Sequence, residues 1–449
     1  MIRKSKSLRT STTPPIPLLR IPNPESRITN HESRIPFPIP DRLSMNIRPI
    51  LSTLRRHKTA AGLIVLEIAL SCAIISNAIF LIGSRVEHMQ RTSGIAEAEL
   101  VFISASSLRP ELDADVMRRE DLAALRAVPG VTAASSVNQI PFGDNVWASG
   151  VKLDPDQVDS TLHVSTYMDD GHLIETLGLR VIEGRAFEDD EFQELSAVEA
   201  SDGSARIASV VLSQALAEHL FPHASALGHD FFIWGDSPTR VVGVIENLMA
   251  PGSGRTLAEN YHTALFPVRV SNGDYALRTD PQRREEVLEA AVAALNAVDP
   301  NRIISVRKSV ENMRHDHYSR DRAVVWLLLV VCVSLLAVTA FGIVGLASFW
   351  VQQRTRQIGV RRALGATRAQ ILHYFQIENL LLVTIGIVLG MALAYAINQW
   401  LMVQYELPRL PLSYLPLGAV VLWLLGQIAV FGPARRAASV PPAIATRTA

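Results

Sequence analysis

Four long apolar stretches interrupt this chain, and they are unevenly spaced. One covers residues 60–82, and three more, at 324–350, 378–401 and 414–432, crowd into the last third. At 1.5 Å of helical rise per residue each can cross a hydrocarbon core of about 30 Å, so the pattern predicts four membrane-spanning helices. The first is too long for the apolar core of a signal peptide, and no small-x-small cleavage site follows it.

The stretch at 83–322 has another texture. Helical periodicity appears at 111–127, 213–221 and 282–298, the last behind Asp280-Pro281, read as a cap and a first-turn proline. Runs rich in β-branched residues at 207–212, 240–245 and 303–307 suit buried strands. Residues 309–322 read as a helix running directly into the second span, a stalk and not a loose linker. The expected fold is an α+β external domain of two lobes, inserted between the first and second of four transmembrane α-helices. Residues 1–44 are different again: rich in Pro, Ser and Arg, with Asn-Pro-Glu-Ser-Arg-Ile at 23–28 nearly repeated at 30–35. Such a segment cannot bury a core and is expected to be disordered, with Met45 the expected true start and a flexible cytoplasmic tail the alternative.

Charge orients the spans. Arg55, Arg56 and Lys58 in the basic segment 45–59, five arginines between the second and third spans, and Arg435, Arg436 and Arg447 in the tail 433–449 all mark cytoplasmic edges. Formal charge over the 449 residues is zero, yet residues 85–322 hold 22 basic and 37 acidic groups, while the remainder holds 21 and 6. That segregation fits a membrane protein with an acidic external domain, and no nucleic-acid partner is needed to explain the arginines. Cys72 and Cys332 both fall inside apolar runs, so a disulfide scaffold in the external domain is excluded.

Few residues invite chemistry. A Walker A loop needs Gly-Lys to hold phosphates, and none of Lys4, Lys6, Lys58, Lys152 and Lys308 follows a glycine. The chain itself is therefore not expected to be a P-loop ATPase, nor any enzyme, and it is expected to bind no cofactor or metal of its own. His315-Asp316-His317 places its histidines about 200° apart on a helix, and Pro222 interrupts Glu218-His219…His223. Glu67 lies about 10 Å into the first span, where a carboxylate costs about 2.5–3.5 kcal/mol; a hydrogen bond to a neighbouring span or to the basic edge is the expected offset, with a role in coupling the alternative. Asn77, deeper in that span, marks a helix–helix interface.

The segment 352–371 is the most informative. It is basic and amphipathic, suited to a helix on the membrane surface. Gly365 can end that helix in a left-handed cap, and Thr367-Arg368-Ala369-Gln370 forms a capping box that starts the next. The expected product is a rigid cationic elbow carrying Arg354, Arg356, Gln357, Gly359, Arg361, Arg362, Gly365, Thr367 and Gln370, used for docking or leverage, with anionic lipid as the plainer contact.

Residues 353–366, Gln-Arg-Thr-Arg-Gln-Ile-Gly-Val-Arg-Arg-Ala-Leu-Gly-Ala, closely resemble the RTREIGIRRALGA signature of MacB/FtsX-like ABC permeases. Thr-Leu-Gly-Leu-Arg-Val-Ile-Glu-Gly-Arg-Ala-Phe at 176–187, Val-Leu-Ser-Gln-Ala-Leu-Ala-Glu-His-Leu-Phe-Pro at 211–222 and Val-Val-Gly-Val-Ile at 241–245 resemble that family's periplasmic core domain, and the tail from Pro433 its ending. The resemblance implies an inner-membrane permease of an export or efflux system, docked through the elbow to a separate MacB-type ATPase that binds ATP and Mg. It also implies a second permease copy or a paralogue as dimer partner, with a periplasmic adaptor and an outer-membrane channel as further partners. Gln357 departs from the family's usual glutamate, so a salt link that the resemblance implies in that helix is absent. An FtsX-like regulator of a cell-wall hydrolase and a lipoprotein-release permease are the alternatives.

Overall fold

The computed structural model describes residues 58–441, apart from 110–112, 155, 158–161, 202–205, 235–236, 253–258 and 406–410. The expectations for 1–44 and for most of 45–59 lie outside the described residues. Helix α1 (Lys58–Met89) leads into β1 (Leu100–Ser107), α2 (Ala114–Arg126) and β2 (Val131–Ser136). A second group follows: β3 (Ala148–Val151), β4 (Leu162–Met168), α3 (Leu173–Leu177), β5 (Val181–Gly184), β6 (Gln193–Glu194), α4 (Leu195–Glu199), β7 (Ser209–Ser213), α5 (Gln214–Leu220), β8 (Asp230–Phe231), β9 (Thr239–Ile245), β10 (Thr263–Phe266) and β11 (Val268–Arg269). The chain then forms β12 (Asp274–Thr279), α6 (Arg284–Val298) and β13 (Arg302–Ser309). It leaves through α7 (Val310–His317), α8 (Ser319–Gln353), α9 (Thr355–Ala363), α10 (Arg368–Tyr405) and α11 (Tyr414–Ala438).

Strands β13-β1-β12-β2 form one antiparallel sheet, so β1–α2–β2 and β12–α6–β13 are the two halves of a split β-α-β unit of the ferredoxin-like kind. The group between β2 and β12 is an insertion, a second lobe whose sheet runs β3-β4-β10-β7-β9-β5 with β8 beside β9. Leu122 and Leu125 of α2 and Leu288, Ala291 and Leu295 of α6 share a core with the first sheet. Asp113 starts α2 by accepting the backbone N–H of Asp115 and Val116. The Asp121 carboxylate pins that helix to β13 through Arg302 at 2.7 Å and to β12 through the Tyr275 hydroxyl at 2.7 Å, all three side chains being buried.

Two local expectations are corrected. Asp280 closes a turn, accepting the N–H of Gln282 on its carboxylate and that of Arg283 on its carbonyl, so α6 begins at Arg284 and not at residue 282. The stalk is not one helix. Ser309 caps α7, which ends at His317, and a new helix starts at Ser319, because Tyr318 is drawn into the core beside Phe142 and His88. That core also holds Val310 and Met313 of the stalk, Leu100 and Phe102 of the first sheet, and Val211 and Leu265 of the second. Both lobes and the entrance to the second span are therefore one packed body.

Among the described residues four helices, α1, α8, α10 and α11, are long and apolar enough to cross a membrane. All four extend beyond the expected spans, and for α10 and α11 the reason is tertiary. Helix α10 starts ahead of its apolar run, at Arg368, and α11 continues through Pro433 to Ala438 because Ala434, Ala437 and Ala438 pack on Ile358, Ile371 and Phe375. Helix α1 is the central partner of α10, and Ser71 reaches Thr339 of α8 at 2.8 Å. Helix α8 leaves Trp326, Leu327, Val333 and Phe341 exposed.

Candidate functional site: the elbow between two spans

The elbow is built from α9 and the turns that flank it. At Arg354 the chain breaks from α8, and the Arg354 guanidinium grips the Glu378 carboxylate of α10 at 2.9 and 3.0 Å while lying over the Trp350 ring at 5.7 Å. Glu378 is 1% exposed. At the other end, Arg362 donates to the carbonyl oxygens of Ala438, the last residue of α11, at 2.7 Å and of Val440, just past it, at 3.3 Å. Ile358 and Gly359 are buried between these two ties.

The turn out of α9 closes as its residue types demand. Gly365 has φ +99°, its N–H donates to Arg362 O, and the N–H of Ala366 donates to Arg361 O, a Schellman ending. The next helix opens on a reciprocal box: Gln370 N–H donates to Thr367 Oγ1 at 3.2 Å and Thr367 N–H to Gln370 Oε1 at 2.9 Å. Thr367→Ala is expected to lower stability by about 1 kcal/mol and Thr367→Ser by less, read as a shift in the thermal unfolding of the detergent-solubilised protein. Equal melting of Thr367→Ala and the native chain would show that the cap does not hold the turn.

The arginines expected to act together divide into two sets. Arg354 and Arg362 are turned inward and tie α9 to α10 and α11. Arg356 and Gln357 are exposed, as are Val360 (46%), Leu364 (83%) and Arg368, while Arg361 lies over Tyr374 at 5.0 Å. The outward face thus mixes cations with apolar side chains, chemistry suited to an acidic protein surface or to anionic headgroups.

Within the spans, Asn77 donates to Ala394 O of α10 at 3.2 Å as well as to Ala73 O at 3.0 Å, so it does join two helices. The Glu67 carboxylate lies against the backbone of α8, where a side chain at Gly342 would meet it at 2.5 Å, and it forms no hydrogen bond or ion pair among the described residues; the basic edge expected to offset it, at Arg55 and Arg56, lies outside them. Sequence reasoning missed Glu378 and Asn379, whose amide donates to Gly426 O at 2.9 Å. Their signal was two adjacent polar residues at the mouth of an apolar run facing a cluster of arginines.

Compared with known families, residues 63–308 match the MacB-like periplasmic core domain and residues 329–442 the FtsX-like permease C-terminal. Over 282 residues the chain is 29% identical to the macrolide export ATP-binding/permease protein MacB of Nitrosomonas europaea, covering 59% of this chain and 40% of that protein. Over 285 residues it is 27% identical to the protein of the same name from Escherichia coli K12, covering 61% and 41%. The chain spans about two-fifths of the length of these curated relatives. Among solved structures, the periplasmic region of MacB from Actinobacillus actinomycetemcomitans aligns with 51% of this chain and 97% of that one, at 11% identity and a TM-score of 0.31. The extracellular domain of the ABC-type transporter YknZ from Gram-positive bacteria aligns with 46% and 100%, at 16% identity and a TM-score of 0.30.

Proposed function

This chain belongs to the MacB-like, FtsX-like family of ABC transporter permeases, a multi-pass inner-membrane protein with its core domain in the periplasm, and from that premise we propose that a separate ATPase drives it by docking on the elbow. The observation that carries the reading is the division of the elbow into a pinned inner face and an exposed outer face. A load applied at Val360 and Leu364 is passed to α10 and α11 through Arg354–Glu378 and Arg362–Ala438, because α9 is held at both ends. Helix α8 carries the load across the membrane to Tyr318, which is packed into the core shared by both periplasmic lobes. Movement of the domain, not passage of substrate between the spans, is then the output, and export is its use. ATP and Mg belong to the docked ATPase. A second copy or a paralogue completes the assembly, with a periplasmic adaptor and an outer-membrane channel receiving what the domain moves.

Co-purification from the native operon tests this. The native chain in detergent is expected to bring down an ATPase, and the double variant Arg356→Glu/Leu364→Glu to lose it while melting within about 0.5 kcal/mol of native, since both sites are on the surface. Recovery of the folded native chain with no ATPase under any condition would overturn the reading.

A further inference from the structure

Burying a carboxylate is unfavourable unless a cation or several hydrogen-bond donors meet it. In the periplasmic domain Asp121 meets Arg302 at 2.7 Å, Asp299 meets Arg109 at 2.6 Å, and Asp169 accepts the backbone N–H of Gly171 and Leu173. Asp274, at the start of β12 and 6% exposed, is met differently. Its donors are neutral, the amides of Asn145 at 3.0 Å and Asn272 at 3.2 Å and the Ser104 hydroxyl, and it forms no ion pair among the described residues. Burial pushes its carboxyl above the ordinary range, with the hydrogen bonds from Ser104 and Asn145 pulling the other way.

Asp274 lines a cavity of about 340 Å³ bounded by β1, β13, the loop at 139–145 and the end of α7. Phe102, Ile140, Phe142 and Met313 supply an apolar wall, and the exposed Asp144 adds a second carboxylate. The cation that borders the cavity, Lys308, is neutralised by Asp316 at 2.7 Å. Phe142 holds a left-handed backbone at φ 68°, unfavourable for a residue with a side chain, and its ring meets His317 and Tyr318 at centroid distances of 5.7 and 5.9 Å. A cavity with an aromatic wall and an unneutralised carboxylate selects a ligand with a flat apolar body and one positive charge.

We propose that this cavity binds a small organic cation, an amine or amidine whose apolar body lies on Phe102 and Phe142 and whose charged nitrogen meets Asp274. Met313 and His317, which border the ligand, belong to α7, directly before the joint at Tyr318, so occupancy is felt where α8 begins. That consequence rests on the lever reading above; the binding does not.

The test uses the full chain in nanodiscs of zwitterionic lipid, with benzamidine as probe and benzamide as its uncharged isostere, followed by saturation-transfer NMR and by hydrogen exchange. Benzamidine is expected to bind saturably and at least about tenfold more tightly than benzamide, to lose that preference in Asp274→Asn, and to protect the segments 139–145 and 313–317 from exchange. Equal binding of the two probes by the native chain, or benzamidine binding that leaves both segments unprotected, overturns the site. The native-chain protection decides the matter even where Asp274→Asn does not fold. Neither readout needs an ATPase, so this proposal and the co-purification can fail separately.

Discussion

Glu378→Ala will destabilise the protein by about 3–5 kcal/mol, because it strands the Arg354 guanidinium in a dry site without its counter-charge. The side chains of the pair are only 12% and 2% exposed, and one guanidinium nitrogen bonds both carboxylate oxygens. Surface pairs between long side chains are worth a fraction of this, as they lose little hydration and are screened by salt. The apolar double variant Arg354→Met/Glu378→Leu should recover most of the loss, since a buried ion pair can be replaced by packed hydrophobic groups at little net change. Stability and coupling would then part company: the double variant should melt near the native temperature yet no longer pass a load from α9 to α10, seen as lost stimulation of the copurified ATPase. A Glu378→Ala chain that melts with the native one would show that the elbow is not held by this pair.

Gly390→Leu is expected to prevent α1 and α10 from packing, a loss of about 3 kcal/mol or more, visible as aggregated or unrecovered protein in size-exclusion chromatography. A Cβ at 390 would lie 2.5 Å from the Cβ of Cys72 and 2.7 Å from the Ala69 carbonyl oxygen, and one turn earlier a Cβ at Gly386 would lie 2.8 Å from that of Ile68. Backbone, not a movable side-chain tip, blocks the first site. The two glycines face the same helix one turn apart, the small-xxx-small spacing that lets membrane helices approach closely. Gly345 on α8 is the control, with nothing within 4 Å of its would-be Cβ. Gly345→Ala should be neutral or stabilise by about 0.5–1 kcal/mol through helix propensity. Equal tolerance at 390 and 345 would sink this account of the bundle.

Much of the candidate site could be read locally. The Gly365 ending and the Thr367–Gln370 box involve residues a few positions apart, and their side chains find the partners that their chemistry requires within one turn. The strands expected at 207–212, 240–245 and 303–307 correspond to β7, β9 and β13 for a similar reason, their β-branched runs having one favourable local conformation. Which elbow arginines face inward could not be read. Arg354 and Arg362 sit in the same basic run as Arg356, and only the positions of Glu378 on α10 and the Ala438 carbonyl at the end of α11 separate them.

By itself the sequence determined what depends on length, periodicity and net charge: four spans, their orientation, an α+β domain between the first two, and a cationic elbow between the second and third. Hydrophobic transfer and charge segregation act on each segment independently of its neighbours, so no partner had to be known. Tertiary structure alone decided the pairing of β12 with β1 across the inserted lobe, the break at Tyr318, the continuation of α11 through Pro433, and the buried pair of Arg354 with Glu378. Each of these exchanges a local preference, or the hydration of a charge, for contacts with segments remote in the chain. Their energies exist only once those segments have met.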